Sequence, residues 1–209
     1  MRPELNPIAK LFWAVRTNPV SERKLRSNLA VPQENLNGLE GLAVSLRKNL
    51  FTKWWHYFEI YDNILGSIAK QNREASSGEP LRILEIGVYR GGSLQLWREY
   101  FGRRAVIFGI DISESCADLG VSEAEIRIGS QTDTVFLASV VKEMGGLDVV
   151  IDDGSHLSSD VITTLNFLFP HLSDGGHYII EDTHTSYWPK WGGGLRRQSS
   201  SIEALKSVV

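Results

Sequence analysis

LRILEIGVYRGGSLQLWREYFG, residues 81–102, decides the fold. Its first eight residues are a short apolar, β-rich run. Glycines at 87, 91 and 92 then let the backbone turn tightly, and Ser93–Phe101 places apolar residues at helical steps. The unit is therefore strand, glycine turn, helix. Working outward, AVIFGIDI (105–112), EIRIG (125–129), LDVVIDD (147–153) and HYIIED (177–182) repeat the strand type. Between them lie stretches long enough for helices, such as 132–144. Strands alternating with helices predict an α/β domain whose parallel sheet carries helices on both faces. Ligands in such folds sit beyond the carboxyl ends of the strands. Every run here ends in glycine or acid: Glu85–Gly87, Asp111, Gly129, Asp152–Asp153 and Glu181–Asp182. Polar residues gathered at one end of each strand indicate a site as well as a core.

Upstream the rhythm differs. Residues 1–50 carry prolines at 3, 7, 19 and 32 and read as short helices and loops. Leu46, Leu50, Trp54, Phe58, Tyr61, Leu65 and Ile68 then recur at three- and four-residue steps, the face of one helix or two joined helices. The aromatic stripe from Trp54 to Tyr61 reads as core. QNREASSGEP (71–80) is polar and reads as a linker. The expected organisation is a helical segment with linker over 1–80 and the α/β domain over 81–209.

Composition excludes several classes. With 42% apolar and 22% charged residues, the 209-residue chain reads as an ordinary globular protein. Its 22 basic and 25 acidic residues leave a formal charge of −3, with no overall attraction to nucleic acid or to an anionic membrane. No apolar run approaches the roughly 20 residues that span a bilayer. The first twenty residues do not read as a signal peptide. The single cysteine, Cys116, cannot form an internal disulfide, and a cytoplasmic location is expected.

The glycine turn invites a cofactor, with free N–H groups at the helix start. It is not the nicotinamide fingerprint, because Val88 and Tyr89 follow Gly87 where Gly-x-Gly-x-x-Gly needs a glycine. The string Glu85-Ile-Gly87 is similar to the first motif of class I methyltransferases. That likeness implies contacts from Glu85, Gly87, Gly91, Gly92 and Ser93 to the methionine part of S-adenosylmethionine; simple turn chemistry is the alternative. Asp111, 24 positions after Gly87, can accept both ribose hydroxyls, or cap the next turn. Gln131 follows strand three, where an adenine base would lie, while Asp133 reads as a helix cap.

Asp153, Glu181 and Asp182 end strands four and five. If these strands are neighbours, about 4.8 Å apart, the three acids converge and repel. A bound cation removes the conflict, and an all-oxygen set suits Mg²⁺ or a similar ion. His156, three positions past Asp153, is the first choice of general base, with His184 the alternative. Tyr187, Trp188 and Trp191 sit in a Gly/aromatic stretch, read as a mobile loop offering rings to a sugar face or as a packed anchor.

Taken together, LEIGVYRGGSLQLWREYFG, FGIDI, GSQTD, DVVIDDGSH and YIIEDTHTSYW resemble the metal-dependent sugar O-methyltransferases of macrolide antibiotic biosynthesis, the mycinamicin VI 2''-O-methyltransferase type. The resemblance covers about residues 51–194. It implies a Rossmann-like class I methyltransferase fold, S-adenosylmethionine as methyl donor, and Mg²⁺ on Asp153, Glu181 and Asp182. It also implies His156 as base, and cofactor contacts from the Glu85–Ser93 loop, Asp111 and Gln131. Lys53 and His56 fall in FTKWWHYFEIYD, similar to the family's segment before the first strand, and their role is left open. Ser130 departs from the family's aspartate. Thr185–Val209 holds no readable strand, so the expected sheet lacks the family's last two strands and the chain reads as a fragment or truncated product. The expected partner is a sugar or glycoside acceptor, with a homo-oligomer left open. Two other readings stand beside this one. One is an iron-dependent hydroxylase of the cephalosporin-hydroxylase-like type, using two histidines and a carboxylate. The other is a non-catalytic S-adenosylmethionine-binding domain.

Overall fold

The computed structural model describes residues 38–46, 53–120 and 124–207. The five β-rich runs form strands β1 (Arg82–Ile86), β2 (Val106–Asp111), β3 (Glu125–Ile128), β4 (Val149–Asp152) and β5 (His177–Ile180). All pair in parallel, in the order β3-β2-β1-β4-β5. The order reverses between β1 and β4, the place where open α/β sheets bind ligands. Register fixes which residues meet there. Ile86 lies beside Ile110 on one side and Asp152 on the other, and Asp152 lies beside Ile180. Gly87, Asp111, Asp153 and Glu181 thus leave the sheet at one edge.

The helices are α1 (Gly38–Ser45), α2 (Trp55–Glu74), α3 (Gly92–Phe101), α4 (Thr134–Met144), α5 (Ser158–Leu168) and α6 (Ser201–Lys206). Strand alternation divides the core into two faces. Ile83, Ile107, Val149 and Ile151 face α1, α2 and α3 through Leu39, Phe58, Tyr61, Leu65, Trp97 and Phe101. Leu84, Ile86, Phe108, Ile110 and Val150 face α4 and α5 through Leu137, Val140, Met144 and Leu168. Asp133 caps α4 as its position suggested, accepting from the Val135 and Phe136 amides.

The α2 stripe is core on one side: Phe58, Tyr61, Leu65 and Ala69 are buried against the same cluster as β1. The expected linker begins later than its composition suggests, because α2 continues through Gln71–Glu74. Asn72 explains this. It is buried, donates to the Phe101 carbonyl at 2.9 Å and accepts from the Leu81 amide at 3.1 Å, fastening the last turn of the helix to the start of the sheet. The readings for residues 1–37 and Leu50 lie outside the described residues.

After β5 the chain makes two 3-10 turns, Thr183–Tyr187 and Pro189–Trp191, before α6. The aromatic stretch folds as both turns at once: Thr185 and Ser186 are buried, while Tyr187 and Trp188 are about half exposed. Among the described residues the sheet has five strands, and no helix is long and apolar enough to cross a membrane.

Candidate functional site

The glycine turn is shaped by close approach. Gly87 has φ +93°, and a Cβ there would lie 2.2 Å from the carbonyl oxygen of Asp153. The cofactor-type loop and the acidic end of β4 are therefore in backbone contact, which only glycine permits. Gly91, with φ +74°, starts α3, and Gly92 and Ser93 are buried in its first turn. Asp111 holds the loop from the β2 side. Its Oδ2 accepts from the Val88 and Tyr89 amides at 2.9 and 3.0 Å, and its Oδ1 accepts from the Ser113 amide at 2.9 Å. The carboxylate thus braces the loop while keeping acceptor capacity for a further donor.

Glu85 shares the parity of Ile83 and so points toward α2 and α3. It is fully buried, accepts from the Ser93 hydroxyl at 2.7 Å, and lies 3.7 Å from the Lys53 ammonium. Burial pushes its pKa up to about 7, against the opposing pull of Lys53. Asp152 has the opposite parity and is also buried, with its pKa raised to about 7 chiefly by burial. Gln131 supports it. The Gln131 amide nitrogen reaches Thr164 Oγ1 at 3.1 Å and Asp152 Oδ1 at 3.4 Å, and its oxygen accepts from the Ser155 amide at 2.8 Å. Both ends of that side chain are engaged inside the protein, so Gln131 buttresses β4 and the following turn instead of offering a free edge to a base.

Beyond β4 and β5, Asp153, His156 and Asp182 each present a ligand atom within 4.8 Å of the others. His156 Nε2 lies 3.8 Å from Asp153 and 3.9 Å from Asp182. His156 and Asp182 both hold left-handed backbone, at φ +59° and +52°. Non-glycine residues in that region cost energy and gather at functional sites. The carboxyl of Asp153 is pushed above its ordinary range, by burial first. Burial likewise pulls the His156 imidazole below its ordinary value. The acids at this spacing fit a divalent ion, with the His156 imidazole beside it.

Glu181 follows β5, next to Asp182. It is buried, and it accepts from Lys53 and from the Tyr61 hydroxyl, outside the group formed by Asp153, His156 and Asp182. Lys53 also donates to Asp153 Oδ2 at 3.2 Å. Its side chain is almost wholly buried, and the surrounding carboxylates outweigh the burial that would discharge it, so it is held as a cation. Asp182 is gripped from the same segment: Trp54 Nε1 donates to it at 2.8 Å, and the Tyr57 hydroxyl donates at 3.1 Å while accepting from the Asp182 amide at 3.0 Å. His184 is more exposed and stands 3.9 Å from Asp182, between the Trp54 and Trp188 rings.

No family model matches the chain. Among curated proteins, L-olivosyl-oleandolide 3-O-methyltransferase of Streptomyces antibioticus is 41% identical over 172 residues, 75% of this chain and 42% of that protein. Mycinamicin VI 2''-O-methyltransferase of Micromonospora griseorubida is 41% identical over 143 residues, 63% of this chain and 35% of that protein. Its homologues are macrolide sugar O-methyltransferases. The solved structure of MycE methyltransferase with Mg, SAH and mycinamycin VI is 30% identical at a TM-score of 0.68, covering 99% of this chain and 54% of that one. The fold is that of Rossmann-like methyltransferases. The chain spans about two fifths of the length of the curated relatives it matches.

Against the sugar O-methyltransferase pattern, the structure gathers the glycine loop, Asp111, Asp153, His156, Glu181 and Asp182 at one sheet edge. Sequence reading left Lys53 without a role, and took Trp54 and Tyr61 for core alone. These residues and Tyr57 reach the acids across 100 or more positions. The available signal was a lysine set in an aromatic helical stripe, a poor place for a cation without buried partners.

Proposed function

We propose that this chain carries the donor and metal sites of an S-adenosylmethionine-dependent O-methyltransferase acting on a hydroxyl of a sugar or glycosylated metabolite. The observation carrying this reading is the backbone contact between Gly87 and Asp153, which sets a cofactor loop directly against a metal-compatible donor group. The named activities of the homologues and the Mg and SAH in the MycE complexes agree with it.

In this reading Glu85, Gly87, Gly91, Gly92 and Ser93 form the wall for the methionine part of the cofactor, and Asp111 receives the ribose. Gln131 supports the adenine end through the turn it braces. Asp153, Glu181 and Asp182 would hold the ion. A divalent ion there would lower the pKa of an acceptor hydroxyl and fix its position. His156, beside both aspartates and held largely neutral by burial, accepts the hydroxyl proton. Trp54, His184 and Trp188 form an aromatic rim suited to one face of a sugar. Lys53, Trp54, Tyr57 and Tyr61 form one side of the site. The acceptor is a small glycoside, with no nucleic-acid or membrane partner; the enzyme works in the cytoplasm, and a homo-oligomer is compatible with the reading. The grouped donors hold one histidine, where the iron-hydroxylase alternative asks for two.

Calorimetry with S-adenosylmethionine, with and without Mg²⁺, followed by methyl transfer to a glycoside panel, tests this reading. Cofactor binding and metal-stimulated transfer are expected, and His156→Ala should lower turnover about 10²- to 10⁴-fold while cofactor still binds. Absence of cofactor binding sinks the assignment, and binding without any transfer leaves only a nucleoside-binding domain.

A further inference from the structure

His156 follows β4 and Asp182 follows β5, and both hold left-handed backbone, at φ +59° and +52°. Their side chains meet, with His156 Nε2 3.9 Å from Asp182. Their main chains meet as well, through Thr185. The Thr185 hydroxyl lies 2.9 Å from the Asp182 carbonyl oxygen and 3.3 Å from that of His156. A hydroxyl carries one proton, so a single donor is shared between the two carbonyls. The Asp182 carbonyl also accepts from the Thr185 amide at 3.0 Å, which pins that turn a second time. Thr185 is itself buried and held from behind. Its neighbour Ser186 is fully buried, with its hydroxyl 2.6 Å from that of Ser201 in the first turn of α6, and the Ser186 carbonyl accepts from the Gly194 amide at 2.9 Å. The donor is thus anchored in the chain that follows the site.

We propose that Thr185 is a positioning residue whose hydroxyl locks the His156 and Asp182 turns together in their left-handed form. The inference rests on the metal reading given above. Left-handed backbone at a residue other than glycine persists only where the surroundings enforce it. Thr185 enforces it at both turns in the free protein, so metal binding does not have to impose it. A site ordered in advance binds more tightly than one that must be ordered on binding. Without the hydroxyl the His156 carbonyl loses this donor and the two turns are free to part, carrying the imidazole away from the acids.

The test is calorimetric titration of Mn²⁺ and of S-adenosylhomocysteine into the full chain, with thermal midpoints taken with and without Mn²⁺. Thr185→Val keeps the branched shape and deletes the hydroxyl. Mn²⁺ should bind about three- to tenfold more weakly, the worth of one hydrogen bond. The rise in midpoint that Mn²⁺ produces should shrink accordingly, while S-adenosylhomocysteine affinity stays at the wild-type value. Thr185→Ser, which restores the hydroxyl, should restore Mn²⁺ affinity. A midpoint lowered equally with and without Mn²⁺ would mark Thr185 as packing alone and overturn the inference. Unchanged Mn²⁺ affinity, equal loss of both ligands, or a Ser variant as weak as the Val variant would overturn it too. If Thr185→Val fails to fold, Thr185→Ser and Thr185→Ala, which differ by the hydroxyl alone, decide on the same readings. Wild-type protein that takes up no Mn²⁺ removes the metal reading, and this inference with it, before any variant is compared.

Discussion

At the scale of single residues, burial sets the chemistry of this edge. Glu85 is fully buried, and its carboxyl is raised from an ordinary value of 4.5 to about 7. A carboxyl raised in the folded state contributes stability that is complete below its unfolded pKa and is lost as pH rises through the folded one. Between about pH 4.5 and 7, Glu85 therefore makes the protein less stable as pH increases. Glu85→Gln should flatten that part of the thermal-midpoint curve, so the variant gains on the wild type from pH 5 to pH 8. Parallel curves for the two proteins would mean that Glu85 is ionised throughout. Asp152 shifts in the same direction, so some slope remains. The left-handed backbones of His156 and Asp182 are a further local cost, met where the donor atoms must turn toward one another.

At the scale of elements, the turn after β1 and the end of β4 behave as one piece. Gly87→Ala would drive a methyl group onto the Asp153 carbonyl and force a left-handed residue as well. A loss on the order of 3 kcal/mol is expected in chemical denaturation, and a change under 1 kcal/mol would show that the turn relaxes freely. The strands and the glycine turn were legible because each carries its own local signature. The run at 105–112 yields Val106–Asp111, and that at 147–153 yields Val149–Asp152, trimmed where pairing stops. The acids were legible because strand ends in a parallel sheet share an edge. Lys53, Trp54 and Tyr57 were not, because their partners lie more than 90 residues away and no periodicity encodes such a pairing. The bond from the Lys53 ammonium to Glu181 was hidden for the same reason.

At the scale of the molecule, the sheet divides the work. The β2 side, through Asp111, governs the cofactor loop, and the β4–β5 side, through Asp153 and Asp182, governs the ion. Asp111→Ala should weaken S-adenosylmethionine binding by roughly 1–3 kcal/mol and leave Mn²⁺ affinity in place. Asp153→Ala should do the reverse, abolishing metal-stimulated transfer with cofactor affinity retained. Equal loss of both ligands in either variant would refute the division. The fastening of Asp182 by Trp54 and Tyr57, and of Glu181 by Lys53 and Tyr61, has a kinetic side. Contacts spanning more than a hundred residues close late, after local helices and turns have formed. The sheet can therefore reach its native pairing before its rim is competent, and the entrance of α2 acts as the final latch on a pocket whose floor is already laid.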